Sequence, residues 1–125
     1  MQKKSSIFIS GKVIRGNGYG AKIGFPTMNL DRRNFLKLKK PPRFGIYSGT
    51  VVLLNKSYKA GIIIGPKDRR GLPKVEAHLL GFSKKVYGEK AIIKIVIFIR
   101  KFKKFKTEQL LISQIKKDML FVSKQ

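Results

Sequence analysis

Thr27 and Asn29 suit chemistry at a phosphate group, because each side chain carries a neutral oxygen that can bind a hard cation such as Mg²⁺. Thr27 directly follows Pro26, and Asn29 is two positions further along the chain. The chain beside a proline is often extended, and residues two apart in an extended chain point to the same face. The spacing therefore predicts that the hydroxyl and the amide lie side by side. The alternative is that Thr27 packs against its neighbours and Asn29 caps a turn.

A glycine-rich loop precedes this pair and contains Gly16, Gly18, Gly20 and Gly24. Glycine allows positive φ angles and lets peptide N–H groups approach an anion with no Cβ in the way. The spacing fits neither the dinucleotide fingerprint G-x-G-x-x-G, which opens a helix, nor the P-loop, whose second glycine precedes a lysine. The segment is thus either a phosphate-binding loop of another kind or a mobile turn between two strands.

Glu76 is one of only six acidic residues and lies in an apolar segment, Val75-Glu76-Ala77-His78-Leu79. A carboxylate in such a strand is either a paired structural group or a functional one, and the residues alone leave both interpretations open. His78, the only histidine, shares a face with Glu76 if the strand is regular. We interpret it as a hydrogen-bonded structural histidine, with a supporting role beside Glu76 as the alternative.

The elements that must position these residues are short and mostly β. Alternating or β-branched segments predict strands at 7–14, 46–54, 58–64, 74–82 and 91–99, with 27–30 extended. Residues 2–6 read as a polar arm, and 16–24, 31–42 and 65–73 as loops, the last two long enough to act as flaps. Thr107 is the predicted N-cap of a closing helix. The pattern predicts a mainly β fold, a small antiparallel barrel with a C-terminal helix.

Several motifs resemble those of riboflavin kinases of the bacterial and eukaryotic type. The likeness covers roughly residues 8 to 120 in the family's order and spacing. The matching segments are Gly24-Phe25-Pro26-Thr27-Met28-Asn29, Gly45-Ile46-Tyr47-Ser48-Gly49, Val75-Glu76-Ala77-His78-Leu79-Leu80, Tyr87-Gly88 and Phe105-Lys106-Thr107. The resemblance implies a six-stranded Greek-key barrel. It also implies transfer of the ATP γ-phosphoryl group to the 5′-hydroxyl of riboflavin, which gives FMN and ADP.

The resemblance assigns roles to individual residues. It implies that Glu76 is the catalytic base and that Thr27 and Asn29 bind Mg²⁺, with Zn²⁺ or Mn²⁺ as alternative metals. Arg100 is expected either to reach the flavin or to order the loop before the helix. The residues expected to contact the nucleotide are Gly16, Gly18, Gly20, Lys22, Pro26 and Thr27. In a chain with 29 basic residues, a lysine near the phosphates at position 22 is also expected by chance.

Two positions depart from the family pattern near the expected site. Ile63 stands where many members have asparagine, so one polar side chain is lost. Phe102 stands where members usually have glutamate, which puts in doubt whatever that glutamate orders. These departures weakly favour an alternative function: a catalytically weak barrel that binds flavin or nucleic acid in a regulatory role.

The net charge of +23, from 29 basic and six acidic residues, would attract any polyanion. No helix-turn-helix, zinc-ligand spacing or aromatic RNA-binding strand motif accompanies it. We interpret the charge as a solvated lysine surface, with a nucleic-acid partner as the alternative.

The length of 125 residues predicts one domain, 1–125, with a core from about 6 to 122. The absence of cysteine excludes disulfides and thiolate metal sites. No signal peptide or membrane-spanning segment is recognisable, so we expect a cytoplasmic monomer with no membrane partner. Only about ten residues precede the first matched segment, too few for an adenylyl-transferring domain. The sequence as given is therefore expected to make FMN and not FAD.

Overall fold

The computed structural model describes residues 6–125. The predicted polar arm, apart from its last residue, lies outside this range. Segments with alternating apolar side chains form six strands. The strands are β1 (Ile7–Ile14), β2 (Met28–Leu30), β3 (Gly45–Leu53), β4 (Lys56–Lys67), β5 (Pro73–Leu79) and β6 (Lys90–Arg100). The helices are α1 (Tyr19–Lys22), α2 (Arg33–Leu36) and α3 (Glu108–Ser123).

The strands form a closed barrel in the order β1-β2-β5-β4-β3-β6, and every neighbouring pair is antiparallel. Closure leaves no free sheet edge, and the inward side chains of all six strands meet in one core. Ile62, Ile64 and Ile93 are fully buried there. The predicted fold, a mainly β six-stranded barrel with a C-terminal helix, is confirmed.

Helix α3 packs across the outside of β4. Thr107 is its N-cap, as predicted, and its side chain accepts a hydrogen bond of 3.2 Å from the Leu110 N–H. The helix lies so close to the strand that a Cβ added at Gly61 would be 2.2 Å from Cε of Met119. Val122 of the same helix is fully buried. Helix α3 therefore covers the outer face of the barrel at β4.

Two segments predicted as loops contain short helices. Helix α1 forms within the glycine-rich loop, and α2 forms within 31–42 because burial of Phe35 fixes one turn against the barrel. Strand β4 also runs to Lys67, beyond its predicted end at 64, and Lys67 pairs with Pro73. Long-range pairing here overrides the local loop signals of glycine and proline.

Within residues 6–125, no helix has the length and apolar character that crossing a lipid bilayer requires.

Candidate active site

Strand register places Asn29 beside Glu76. On β5, Val75 and Ala77 point into the core, so Glu76 lies on the outer face and is half-buried. Asn29 of β2 is its directly opposed partner. The outer face of the β2–β5 pair therefore carries an amide and a carboxylate side by side.

Thr27 completes this cluster. Its Oγ1 donates a hydrogen bond of 3.0 Å to Oε1 of Glu76. Because the hydroxyl uses its proton in this bond, its lone pairs stay available to a cation. Hydroxyl, amide and carboxylate oxygens are the donors that Mg²⁺ prefers, so the three side chains fit a hard divalent cation. The described part of the chain has no cluster of three His, Cys, Asp or Glu residues that could hold a metal, so a cation here would also depend on phosphate or water oxygens.

Gly16 makes room for the Asn29 side chain. A Cβ at position 16 would lie 2.1 Å from Nδ2 of Asn29 and 2.7 Å from its Oδ1. No real Cβ approaches a side chain so closely, so only glycine allows the loop to rest on this amide. The first glycine of the loop is thus tied to Asn29 by packing.

His78 fixes the segment that carries Thr27. Its Nδ1 lies 2.7 Å from the carbonyl oxygen of Pro26, and we assign the proton to that nitrogen because a carbonyl can only accept. The ring also meets Phe25 edge to face, with centroids 5.6 Å apart. His78 is therefore a hydrogen-bonded residue that holds Pro26, one position before Thr27.

A first cavity, here called the basic cavity, opens on one side of the cluster with a volume of about 300 Å³. Thr27 and Asn29 line it, as do Gly16, Gly18 and Pro26 from the predicted nucleotide-contacting set. Arg15, Lys84 and Lys85 line it as well. Its cations and glycine backbone suit a chain of phosphates.

A second cavity, here called the apolar cavity, has a volume of about 270 Å³ and opens on the other side of Thr27. It lies between α1, the outer faces of β4 and β5, and α3. Glu76 and Thr27 stand at its wall. Its apolar lining comes mainly from Ile23, Phe25, Ile46, Ile63, Phe102, Phe105, Leu111, Ile115 and Met119. Such a lining with a few polar groups suits a flat aromatic ligand.

A third cavity of about 360 Å³ separates the cluster from the two predicted flaps. Arg32 of the first flap forms an ion pair with Asp68 of the second. The hydrogen bond from Arg32 is the main reason that the pKa of Asp68 is lowered to about 2. The two loops are therefore joined to each other beside Glu76 and Asn29, which also line this cavity.

Helix α1 is tied to the start of α3 across the apolar cavity. The Tyr19 hydroxyl donates a hydrogen bond of 3.2 Å to Oε1 of Glu108. Burial and the nearby Glu108 carboxylate raise the pKa of Tyr19. This contact links the glycine-rich loop to the helix that forms the opposite wall.

Arg100 lies at the wall of the apolar cavity, where it is bound by Asp118 of α3. Its Nε and Nη2 donate to the carboxylate at 3.0 and 2.8 Å, and Gln114 donates to the same carboxylate at 3.0 Å. Asp118 is only 3% exposed. The pair joins the end of β6 to α3, on either side of the segment whose ordering is one of the two roles expected for Arg100.

The other predicted nucleotide-contacting residues are less closely placed around the cluster. Gly18 begins α1 with φ of +76° and lines the basic cavity, whereas Gly20 lines the apolar cavity. Lys22 is exposed and lines none of the three cavities. Asn17, which lines all three, was missed by sequence reasoning, although its place between two loop glycines was a usable signal.

A closed barrel with an oxygen cluster between a basic and an apolar cavity is suited to hold a nucleotide beside a flat ring. The family model described as Flavokinase: Riboflavin kinase matches residues 3–125. The chain belongs to the riboflavin kinase family. The match to the family model confirms the predicted family. Members of this family phosphorylate riboflavin to FMN and use ATP with a divalent metal.

Relatives with established descriptions agree with this assignment. The chain is 32% identical to the riboflavin kinase of Mus musculus, across 94% of this chain and 79% of that protein. It is 36% identical to the RNA-binding riboflavin kinase RibR of Bacillus subtilis, across 94% of this chain and 50% of RibR. The riboflavin kinase structure from Trypanosoma brucei matches with a TM-score of 0.68 and 28% identity, over 95% of this chain and 78% of that chain.

The chain spans half or less of the length of the first curated relatives that it matches.

Proposed function

We propose that this chain transfers the γ-phosphoryl group of ATP to the 5′-hydroxyl of riboflavin, giving FMN and ADP. The observation that carries the proposal is the Thr27–Glu76 hydrogen bond at the boundary between the basic and apolar cavities. A phosphate donor on one side and a flavin on the other would meet at this boundary. The reaction needs little more from the protein than alignment, charge neutralisation and a proton acceptor.

Glu76 acts as the general base in this proposal. Its carboxylate accepts the proton of the riboflavin hydroxyl while that oxygen forms a bond to the γ-phosphorus. The bond between the γ-phosphorus and the bridging oxygen breaks, and ADP leaves with that electron pair. Thr27 orients the carboxylate by donating to Oε1, which leaves Oε2 to receive the proton.

The nucleotide phosphates would lie in the basic cavity, against the backbone of Gly16 and Gly18 and near Pro26. Arg15, Lys84 and Lys85 add positive charge there. A nucleotide contact is less well supported for Lys22 and Gly20, since neither residue lines this cavity.

Thr27 and Asn29 would hold the divalent cation through their hydroxyl and amide oxygens, with Mg²⁺ as the preferred ion and Zn²⁺ or Mn²⁺ as alternatives. Bound there, the cation neutralises phosphate charge. Gly16 keeps the Asn29 amide in position for this task.

The flavin ring would occupy the apolar cavity. Ile63 and Phe102, the two departures from the family pattern, both line it and make its wall more apolar. Arg100 contributes by fixing that wall through Asp118, so its direct contact with flavin is the weaker of the two expected roles.

The first test is FMN formation by the wild type and by Glu76→Gln, read by chromatography with riboflavin, ATP and Mg²⁺. Loss of a positioned base lowers the rate about 10²- to 10⁴-fold, so kcat should fall by that factor. Glutamine keeps the size of the side chain and can still accept the Thr27 hydrogen bond, so the melting temperature should stay close to that of the wild type.

Glu89→Gln is the matched control, because it removes the same charge from an exposed turn outside all three cavities. Equal loss in both variants would show that net charge matters and that Glu76 is not the base. FMN from neither variant nor wild type, with riboflavin still bound, would favour a binding module.

Nucleic-acid binding is a second candidate function, favoured by the net charge of +23 and by the similarity to RibR, whose name describes it as RNA-binding. Because this chain covers 50% of RibR, the RNA-binding property could belong to the part of RibR that it does not cover. Salt separates the two ligands: affinity for nucleic acid should fall steeply with ionic strength, whereas affinity for riboflavin should barely change.

We further propose that the chain works as a monomer in the cytoplasm, since substrates can reach both cavities in a single copy. Sedimentation at working concentration would test the oligomeric state.

A further inference from the structure

Among residues 6–125, the outer face of the barrel away from the candidate active site is only partly covered. In the closed strand order, β6 lies opposite β5, which carries Glu76, and its neighbours are β1 and β3. The outward residues of these three strands include Phe8, Ser10 and Lys12 of β1, Lys90 and Lys94 of β6, and Thr50 and Val52 of β3. We call the surface that these residues form the open sheet face. Helix α2 contacts it along β1, where the Asn34 amide donates to Ser10.

The open sheet face exposes apolar side chains that do not pack in the core of the barrel. Phe8 is 60% exposed and Val52 is 41% exposed. The buried residues that alternate with them, Ile9 and Val51, already fill the core. The exposed ring is thus not a packing residue, and its area is available to a ligand.

Two lysines face each other directly on this surface. Lys12 and Lys90 are opposed partners of the β1–β6 pair, and like charges in such positions are destabilising. The three ion pairs formed within residues 6–125 use the arginines at 32, 33 and 100, so neither Lys12 nor Lys90 belongs to one of them. An anion lying between the two ammonium groups would remove the repulsion.

The same strands bring a cation to the exposed ring. Lys94 is the opposed partner of Phe8, and its Nζ lies 5.8 Å from the ring centroid. Four residues along β1 separate Phe8 from Lys12, a distance of about 13 Å. The face therefore offers a stacking platform at one end and an anion site at the other.

We propose that the open sheet face binds single-stranded nucleic acid, with a base stacked on Phe8 and a phosphate between Lys12 and Lys90. Basic grooves with an exposed aromatic side chain are the general means by which barrels hold single strands. The hydroxyls of Ser10 and Thr50 alternate with the apolar groups, which suits a sugar-phosphate chain better than a lipid surface. This inference rests on the second candidate function and is independent of the kinase site.

The test is the affinity of the purified chain for a short fluorescent oligouridylate, measured by anisotropy at several salt concentrations. For Lys12→Gln/Lys90→Gln we expect weaker binding and a slope of log K against log salt that is shallower by about 0.7, because the variant no longer neutralises the one phosphate between these lysines. For Phe8→Ser we expect about tenfold weaker binding with the slope unchanged, because stacking releases no counterions. FMN formation should be unaffected in both.

Lys116→Gln/Lys117→Gln is the matched control, because it removes the same charge from exposed positions of α3. It should leave affinity and slope nearly unchanged. If the wild type binds the oligonucleotide but all three variants behave alike, the binding site is not the open sheet face, and nucleic-acid binding remains a candidate function. If the wild type does not bind at low salt, both the location and the candidate function are wrong. If the face variants lose binding to phosphatidylserine vesicles and keep the oligonucleotide, the occupant is a membrane and the proposal is overturned.

Discussion

At the scale of single residues, the candidate active site depends on close approaches that tolerate no added atom. Gly16 packs against the Asn29 amide, and His78 donates a hydrogen bond to the carbonyl oxygen of Pro26. Thr27 and Glu76 are joined by one hydrogen bond between different strands. Each contact fixes a group that the proposed reaction needs, so small changes here should alter function before they alter the fold.

Gly16→Ala should displace the Asn29 side chain, because the new Cβ would otherwise lie 2.1 Å from Nδ2. We expect a lower melting temperature and a higher Mg²⁺ concentration for half-maximal FMN formation. In the background of Asn29→Ala the obstacle is absent, so the same change should cost little stability. Equal losses in both backgrounds, measured by thermal unfolding, would contradict the packing argument.

At the scale of elements, α3 is held to the barrel by Arg100 at the end of β6. Asp118→Asn removes the charge that pairs with Arg100 and leaves a mostly buried guanidinium without its counterion. Breaking such a pair should destabilise the fold by about 3 kcal/mol, the lower end of the range for buried pairs, because Arg100 still meets solvent. Denaturant unfolding measures the difference.

Asp31→Asn serves as the control for this change. It breaks an ion pair with Arg33, whose side chain is 80% exposed. Surface pairs contribute little, so the loss should be much smaller. A similar loss in the two variants would mean that burial of Asp118 is unimportant.

The two flaps form a second pair of linked elements, and their link is sensitive to pH. The pKa of Asp68 is lowered to about 2 in the folded chain, from an ordinary value of 3.8. A carboxyl with a lowered folded pKa stabilises the fold fully above its ordinary pKa and loses that contribution as pH falls through the folded value. The contribution of the Arg32–Asp68 pair to the free energy of unfolding should therefore decline as pH falls from about 4 to about 2.

Thermal unfolding of wild type and Asp68→Asn tests this link. The melting temperatures should differ at pH 5 and converge toward pH 2 if the protein remains folded there. Arg32→Gln removes the other partner and should show the same convergence. A difference that stays constant over this range would rule out Asp68 as the titrating group.

At the scale of the whole molecule, the net charge of +23 sets up self-repulsion that the folded barrel must withstand. Added salt screens this repulsion over a Debye length of about 10 Å at 0.1 M. The melting temperature should therefore rise from low to moderate NaCl. A fall in the melting temperature with added NaCl would contradict net repulsion.

The strands, the closing helix with its cap, and the family could all be predicted from the order of the amino acids. These follow from signals that are local: the alternation around Glu76 that puts His78 on its face, the helix-capping hydroxyl of Thr107, and the motif from Gly24 to Asn29. Periodicity and capping act over a few residues, so neighbouring side chains are enough to reveal them.

Contacts between residues far apart in the chain follow from the folded barrel. The β2–β5 register brings Asn29 to Glu76, and the packing of α3 gives Arg100 its partner Asp118. Burial of Phe35 turns part of a polar loop into a helix. Each outcome depends on strand pairing or packing between segments far apart in the chain, where the free energy of the whole barrel outweighs local preference.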